Sequence, residues 1–219
     1  MRILTAAVTL TLVASCGGSA APTTTEPPTF PSIVVDRWLE ALVAGDYGAA
    51  AANVEPVGAS IVVAIENGFS DQELAELLES GWTEALTDSF WSSFANEFGL
   101  FSGAPLDAIG VGRHSELDVG EGTYARVGIE VDGESGWILA RLSDDGVWQV
   151  DLLATLAGAF VSLVFDRVAA LGDSPAASLI ATKITDAALG SLEAAAVAYP
   201  DDVRLSAEIA RIRSVVGSR

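Results

Sequence analysis

The sequence predicts an α+β fold: N-terminal helices packed on a curved antiparallel meander of about four strands, followed by a helical C-terminal extension. Three observations carry this prediction. Apolar residues recur at helical spacing through residues 32–98. The period shortens to strand alternation between about 106 and 152, with turn signals at Asp132-Gly133 and Asp144-Asp145-Gly146. Helical spacing then returns from Leu156 to Val216.

The first segment reads as an address. Arg2 and the amino terminus precede an uncharged run from Ile3 to Val13. A membrane-spanning helix needs about 20 apolar residues, so the run suits the core of a signal peptide, residues 1–15. Val13-Ala14-Ser15-Cys16 resembles the lipobox of bacterial lipoproteins. That resemblance implies a diacylglycerol on the Cys16 thiol and cleavage just before it. Cys16 is the chain's one cysteine, so neither a disulfide framework within the chain nor a multi-cysteine metal site is expected. Residues 16–31 read as a lipidated cysteine and a Pro/Thr-rich tether. The 15 residues after Cys16 reach about 45 Å when extended. The expected location is the cell envelope, at the outer face of the plasma membrane.

A first domain is expected over 32–153. Trp38, Leu39, Leu42 and Val43 share one face of a helix over 32–44, with Ser32 as its cap and Gly45 as its stop. Asp46 caps a short helix from Tyr47 to Val54, and Pro56 breaks the chain. A helix is expected over 57–67 despite the β-branched run Ile61-Val62-Val63. Ser70-Asp71-Gln72-Glu73 has the form of a capping box. The helical stretch that follows divides at Gly81 or at Thr87-Asp88-Ser89. A first strand lies within 106–119, and Arg126–Val131, Trp137–Leu142 and Val147–Leu152 complete the meander. The extension, 154–219, is expected to pack on the same domain. Its signals are the stripe Phe160, Val164, Val168, Leu171, the Ser174-Pro175 helix start, and Leu205, Ile209, Ile212, Val216.

The net charge is −19. Residues 30–110 hold 13 acids and one base, whereas 154–219 hold seven acids and six bases. So acidic a chain excludes a nucleic-acid partner, which would need clustered positive charge. The acidic faces read as solvated surface. Arg204, Arg211, Arg213 and Arg219 cluster near the C-terminus, facing anionic lipid, the acidic helices or their own helix dipole.

Two segments carry a second resemblance. The helix end Trp38-Leu39-Glu40-Ala41-Leu42-Val43-Ala44-Gly45-Asp46-Tyr47 and the strand Asp145-Gly146-Val147-Trp148-Gln149-Val150-Asp151-Leu152 are similar to the nuclear-transport-factor-2-like superfamily. The resemblance covers residues 32–153. It implies a curved sheet wrapped around a helix, forming a cone whose mouth often holds a ligand. Some members of that family are isomerases, dehydratases or epoxide hydrolases that use Asp, His or Tyr in the cone; many others only bind or assemble. The long helical stretch 57–98 and the C-terminal tail depart from the pattern, and the tail is long enough to cover the cone.

Two constellations carry chemistry. His114, the one histidine, shares a strand face with Glu116 and Asp118, an arrangement that suits a general base near neutral pH. Trp82, Phe90, Trp91, Phe94, Phe98 and Phe101 form an aromatic stripe. Of these, Trp82, Trp91, Phe94 and Phe98 are candidates to line an apolar ligand, set against plain core packing. No nucleophile elbow, phosphate-binding Gly loop or paired-His metal motif occurs. No metal and no cofactor are expected. The leading expectation is a non-enzymatic, lipid-anchored envelope protein that binds a small apolar ligand or a protein partner. The alternative is a small-molecule isomerase or hydratase using His114 with a nearby carboxylate.

Overall fold

The computed structural model describes residues 30–102, 105–120, 122–131 and 133–218. The expected signal peptide, Cys16 and nearly all of the tether lie outside the described residues. Among the described residues five helices come first: α1 (Pro31–Ala44), α2 (Tyr47–Ala52), α3 (Pro56–Glu66), α4 (Asp71–Ser80) and α5 (Glu84–Ser102). A 3-10 turn, Leu106–Ala108, leads to β1 (Gly110–Val119), β2 (Gly122–Val131), β3 (Glu134–Leu142) and β4 (Trp148–Val150). After them come α6 (Leu152–Thr155), α7 (Ala157–Ala170) and α8 (Pro175–Lys183). A π turn, Ile184–Ala188, joins α8 to α9 (Leu189–Ala198), and α10 (Val203–Val216) follows. The fold class is the α+β arrangement that the change of period predicts.

Local chemistry sets the boundaries. The first helix starts one residue earlier than expected, at Pro31, with Phe30 rather than Ser32 in the cap position. Proline at the first helical position has its backbone angle preset and lacks only a donor that would go unused there. At α4 the capping box is complete: Ser70 Oγ accepts from Glu73 N, and Glu73 Oε2 accepts from Ser70 N at 2.7 Å. The Ser70 amide, and next the Ser70 hydroxyl, both donating to Oε2, hold the Glu73 carboxyl below its ordinary range. The division after α4 falls at Gly81, whose φ of 76° suits a residue without Cβ. Thr87, Asp88 and Ser89 lie inside α5.

The strands pair antiparallel in the order β1-β2-β3-β4. The register sets Tyr124 opposite Leu117 and Arg141, and Ala125 opposite Glu116 and Ala140. Residues on β2 and β3 are buried on both faces at this end, as Tyr124, Ala125, Leu139 and Ala140 show. One face, with Ala125, Val127, Ile138 and Val150, joins α1 in the main core. The opposite face, with Tyr124, Leu139 and Val119, is covered by Ala154 of α6 and by Ala194 and Ala198 of α9. Adjacent apolar residues such as Ile138-Leu139-Ala140 point to alternate faces, so cover on a single face would leave one set in water.

The last strand is shorter than expected. It ends at Val150, because the Asp151 side chain caps a helix and turns Leu152 and Leu153 into the core. Beyond it, the C-terminal helices are tied back to the N-terminal ones. Arg167 Nη1 donates to the Phe69 carbonyl at 2.5 Å, and Nη2 lies 3.4 Å from Asp71 Oδ1. The arginines near the C-terminus are held within their own helices and neighbours: Arg204 pairs with Asp202, Arg211 with Glu208 and Arg213 with Glu193. Arg219 lies outside the described residues. Among the described residues, no helix is long and apolar enough to cross a membrane.

The capping box gives a direct check on this account. Ser70→Ala leaves the Glu73 amide without its acceptor and is expected to lower unfolding free energy by about 1 kcal/mol in denaturant titration. An unchanged midpoint would contradict it.

A candidate apolar cleft beside a buried carboxylate pair

The α2–α3 turn, the end of α4 and the start of α5 enclose a cleft of about 550 Å³. Ala51 and Ala52 of α2 contribute one wall, Val54 and Val57 the floor, and Leu77 and Leu78 of α4 a second wall. Trp82 and Trp91 close the far side, and Lys183, at the end of α8, stands at the margin. Small residues on α2 leave the space, and the large residues of α4 and α5 border it. A mostly apolar cavity of this size with a few polar groups is typical of small-molecule sites.

Trp82 is held by one polar contact. Its Nε1 donates to Ser60 Oγ at 2.9 Å, and Ser60 Oγ donates to the Pro56 carbonyl at 2.6 Å. The Trp82 and Trp91 rings lie 6.2 Å apart and nearly parallel, at 23°. Phe90 stands edge-on to Trp82 at 5.3 Å. Behind them, Trp38 of α1 packs against Trp91, Phe94 and Phe98 at centroid distances of 6.2, 5.8 and 6.2 Å. The predicted stripe therefore divides. Trp82 and Trp91 border the cleft, whereas Phe94 and Phe98 are not among its lining residues and anchor α5 to α1. The Phe101 side chain lies outside the described residues.

Immediately behind the floor sits a pair of acids. Asp151 is wholly buried; its Oδ1 accepts from Ala154 N at 2.8 Å and its Oδ2 from Ser191 Oγ at 2.6 Å. Glu55, 7% exposed, caps α3, accepting from Val57 N at 3.0 Å and from Gly58 N at 2.5 Å. The two backbones are paired as well: Glu55 N donates to the Val150 carbonyl at 2.8 Å. Burial, and next the Glu55 carboxylate, push the Asp151 carboxyl up to about 6, although the Ser191 hydroxyl pulls the other way. Gly58 fits between the two acids. A Cβ there would stand 2.9 Å from Glu55 Oε2 and 3.0 Å from Leu153 Cβ.

The predicted histidine site lies elsewhere. The register sets His114 opposite Val127, Glu116 opposite Ala125 and Asp118 opposite Thr123, with His114 and Glu116 on the sheet face that α1 crosses. The His114 ring packs 6.3 Å from Phe30. Glu116 is exposed, and the Asp118 side chain lies outside the described residues. Among the described residues, His114 makes no ion pair, and no group of His, Cys, Asp and Glu is arranged to hold a metal.

Sequence reasoning missed Glu55, Asp151, Ser191 and Lys183. The available signals were a Glu directly before Pro56, an Asp directly before the uncharged run 152–165, and the only lysine in the chain. Comparison of the chain with protein-family models, curated proteins and solved structures finds no match.

Two outcomes test the acid pair. The folded state takes up the Asp151 proton more readily than the unfolded state, whose carboxyl titrates near 3.8. This contribution is full below that value and is lost as pH rises through about 6. Asp151→Asn cannot ionise; its Oδ1 still accepts from Ala154 N, and its Nδ2 donates to Ser191 Oγ, whose own proton turns to the Ala187 carbonyl. Its stability relative to the unsubstituted chain is expected to improve by about 2–3 kcal/mol from pH 4 to pH 7. A difference independent of pH would contradict the assignment. Gly58→Ala is expected to cost about 1–3 kcal/mol by overpacking between Glu55 and Leu153. A neutral effect on the thermal midpoint would show that the junction has slack.

Proposed function

We propose that this chain is a lipid-anchored protein of the cell envelope, attached to the outer face of the plasma membrane through Cys16, whose cleft binds a small apolar ligand without transforming it. The carrying observation is the cleft itself: about 550 Å³, bordered by Ala51, Val54, Val57, Leu77, Trp82 and Trp91. Its indole N–H at Trp82 is already satisfied by Ser60, whereas the buried Trp91 Nε1 has no hydrogen-bond partner among the described residues, so that wall is apolar surface with one unmet donor. The acids of the neighbouring junction, Glu55 and Asp151, are occupied as helix caps and are not among the lining residues. A pocket without convergent acid, base or nucleophile is suited to holding a molecule rather than reacting with it.

The resemblance of residues 38–47 and 145–152 to the nuclear-transport-factor-2-like superfamily is part of this reading, beside an antiparallel meander with α1 across one face. The cleft used here, however, is bordered by helices α2–α5. The isomerase or hydratase alternative rests on His114 and Glu116, which share a sheet face but are not among the residues lining this cleft; the His114 ring packs against Phe30.

The test is native mass spectrometry of the full chain carrying Cys16→Ser, purified without detergent. The expected result is an adduct that persists under gentle conditions and disappears on denaturation. A bare chain whose tryptophan emission is also unmoved by added dodecanol would overturn the reading. Cys16→Ser is further expected to shift the protein from the membrane fraction to the aqueous one, because acyl chains supply the anchor. Full membrane retention of that variant would defeat the anchoring part.

A further inference from the structure

We infer that the ligand is a single-chain amphiphile with an anionic carboxylate head, a long-chain fatty acid, whose head pairs with Lys183 at the margin of the cleft. This inference rests on the binding role proposed above and names the chemical class of the ligand. Lys183 is the only lysine in a chain of net charge −19, and it is the only charged residue among those lining the cleft. It is half-buried and, among the described residues, makes no ion pair. The usual structural reason for a lysine at the end of a helix does not apply. A cation there normally answers free carbonyls at the helix C-terminus. Here Ile184 continues in helical conformation, and the chain runs through the π turn into α9, so the helix does not end at Lys183. Single π turns inside helices are frequent at functional sites, and this one directly follows the lysine.

The remaining surfaces restrict the ligand further. The walls are mostly Ala, Val, Leu and Trp, with Ser60 and Thr87 as the neutral polar residues and no acid among the lining residues to repel an anion. Scaled from a 150 Å³ cavity that admits benzene, the space takes roughly 20 non-hydrogen atoms. That suits one alkyl chain with its carboxylate and is too small for a two-chain phospholipid. A carboxylate can meet the ammonium at the margin, where water still reaches it, while the chain displaces water from the apolar walls.

The experiment is a titration of the full Cys16→Ser chain, so that no acyl group of the protein itself competes, read by tryptophan emission and calorimetry. The probes are laurate, dodecanol and vesicles of dioleoyl phosphatidylglycerol. Laurate is expected to bind one per chain and to perturb the emission. Lys183→Met is expected to weaken laurate by at least about tenfold and to leave dodecanol unchanged, and Lys183→Arg to restore laurate. Leu78→Trp, which fills the cleft, is expected to abolish both. If Lys183→Met binds laurate as tightly as the parent, the anionic head is wrong while the apolar cleft stands. If neither laurate nor dodecanol binds, the cleft reading itself falls. If only the vesicles bind, the occupant is a phospholipid surface and the fatty-acid assignment is overturned.

Discussion

Asp151 enters the interior wholly buried, and two other segments of the chain supply donors to its two oxygens. The Ala154 amide at the start of α6 meets one, and the Ser191 hydroxyl of α9 meets the other. One residue earlier, Val150 is hydrogen-bonded to Asn53 and Glu55, which fixes the start of α3 against the edge of the sheet. Glu55 then turns its own carboxylate onto the amides of Val57 and Gly58. A buried polar group left without partners costs several kcal/mol. These bonds therefore decide where the sheet hands the chain to the helices. They also explain why a strand that reads as running to Leu152 stops at Val150.

The cleft inherits its shape from that junction. Its floor, Val54 to Ser60, is the same segment that Glu55 and Gly58 lock against Leu153. The opposite wall has a different character. The end of α4 stops at Gly81, Trp82 is held by a single bond to Ser60, and α5 is fixed from behind by aromatic contacts to Trp38. A rigid floor and a wall held by few polar contacts are suited to admitting an apolar guest without rebuilding the core. The energy of such binding comes from displaced water, at roughly 25 cal/mol per Å² of apolar surface covered.

Much of the architecture was legible in the residues because it follows from local rules. The Ser70 capping box, the Asp46 and Ser174 caps, and the antiparallel pairing of β2 with β3 each need only a few neighbouring positions to be recognised. The functional geometry was less legible, because it depends on meetings between distant positions. Ser60 meets Trp82 across 22 residues and Ser191 meets Asp151 across 40. Nothing in the period of a single helix announces either contact. The aromatic stripe was visible as a stripe, but its division into cleft wall and core depends on where Trp38 packs. Likewise the strand spacing put His114 and Glu116 on one face, and could not foresee that Phe30 would lie against the ring.

Native-state hydrogen exchange, resolved by residue, tests this division of labour most directly. If the Asp151–Glu55 junction is the fixed base of the cleft, the amides of Gly58 and Ala154 exchange only through global unfolding, with the full unfolding free energy. The amides around Gly81 to Leu86 are predicted to exchange through cheaper local openings. Gly58 and Ala154 exchanging as readily as that wall would contradict the account, because the floor would then be no firmer than the part meant to move.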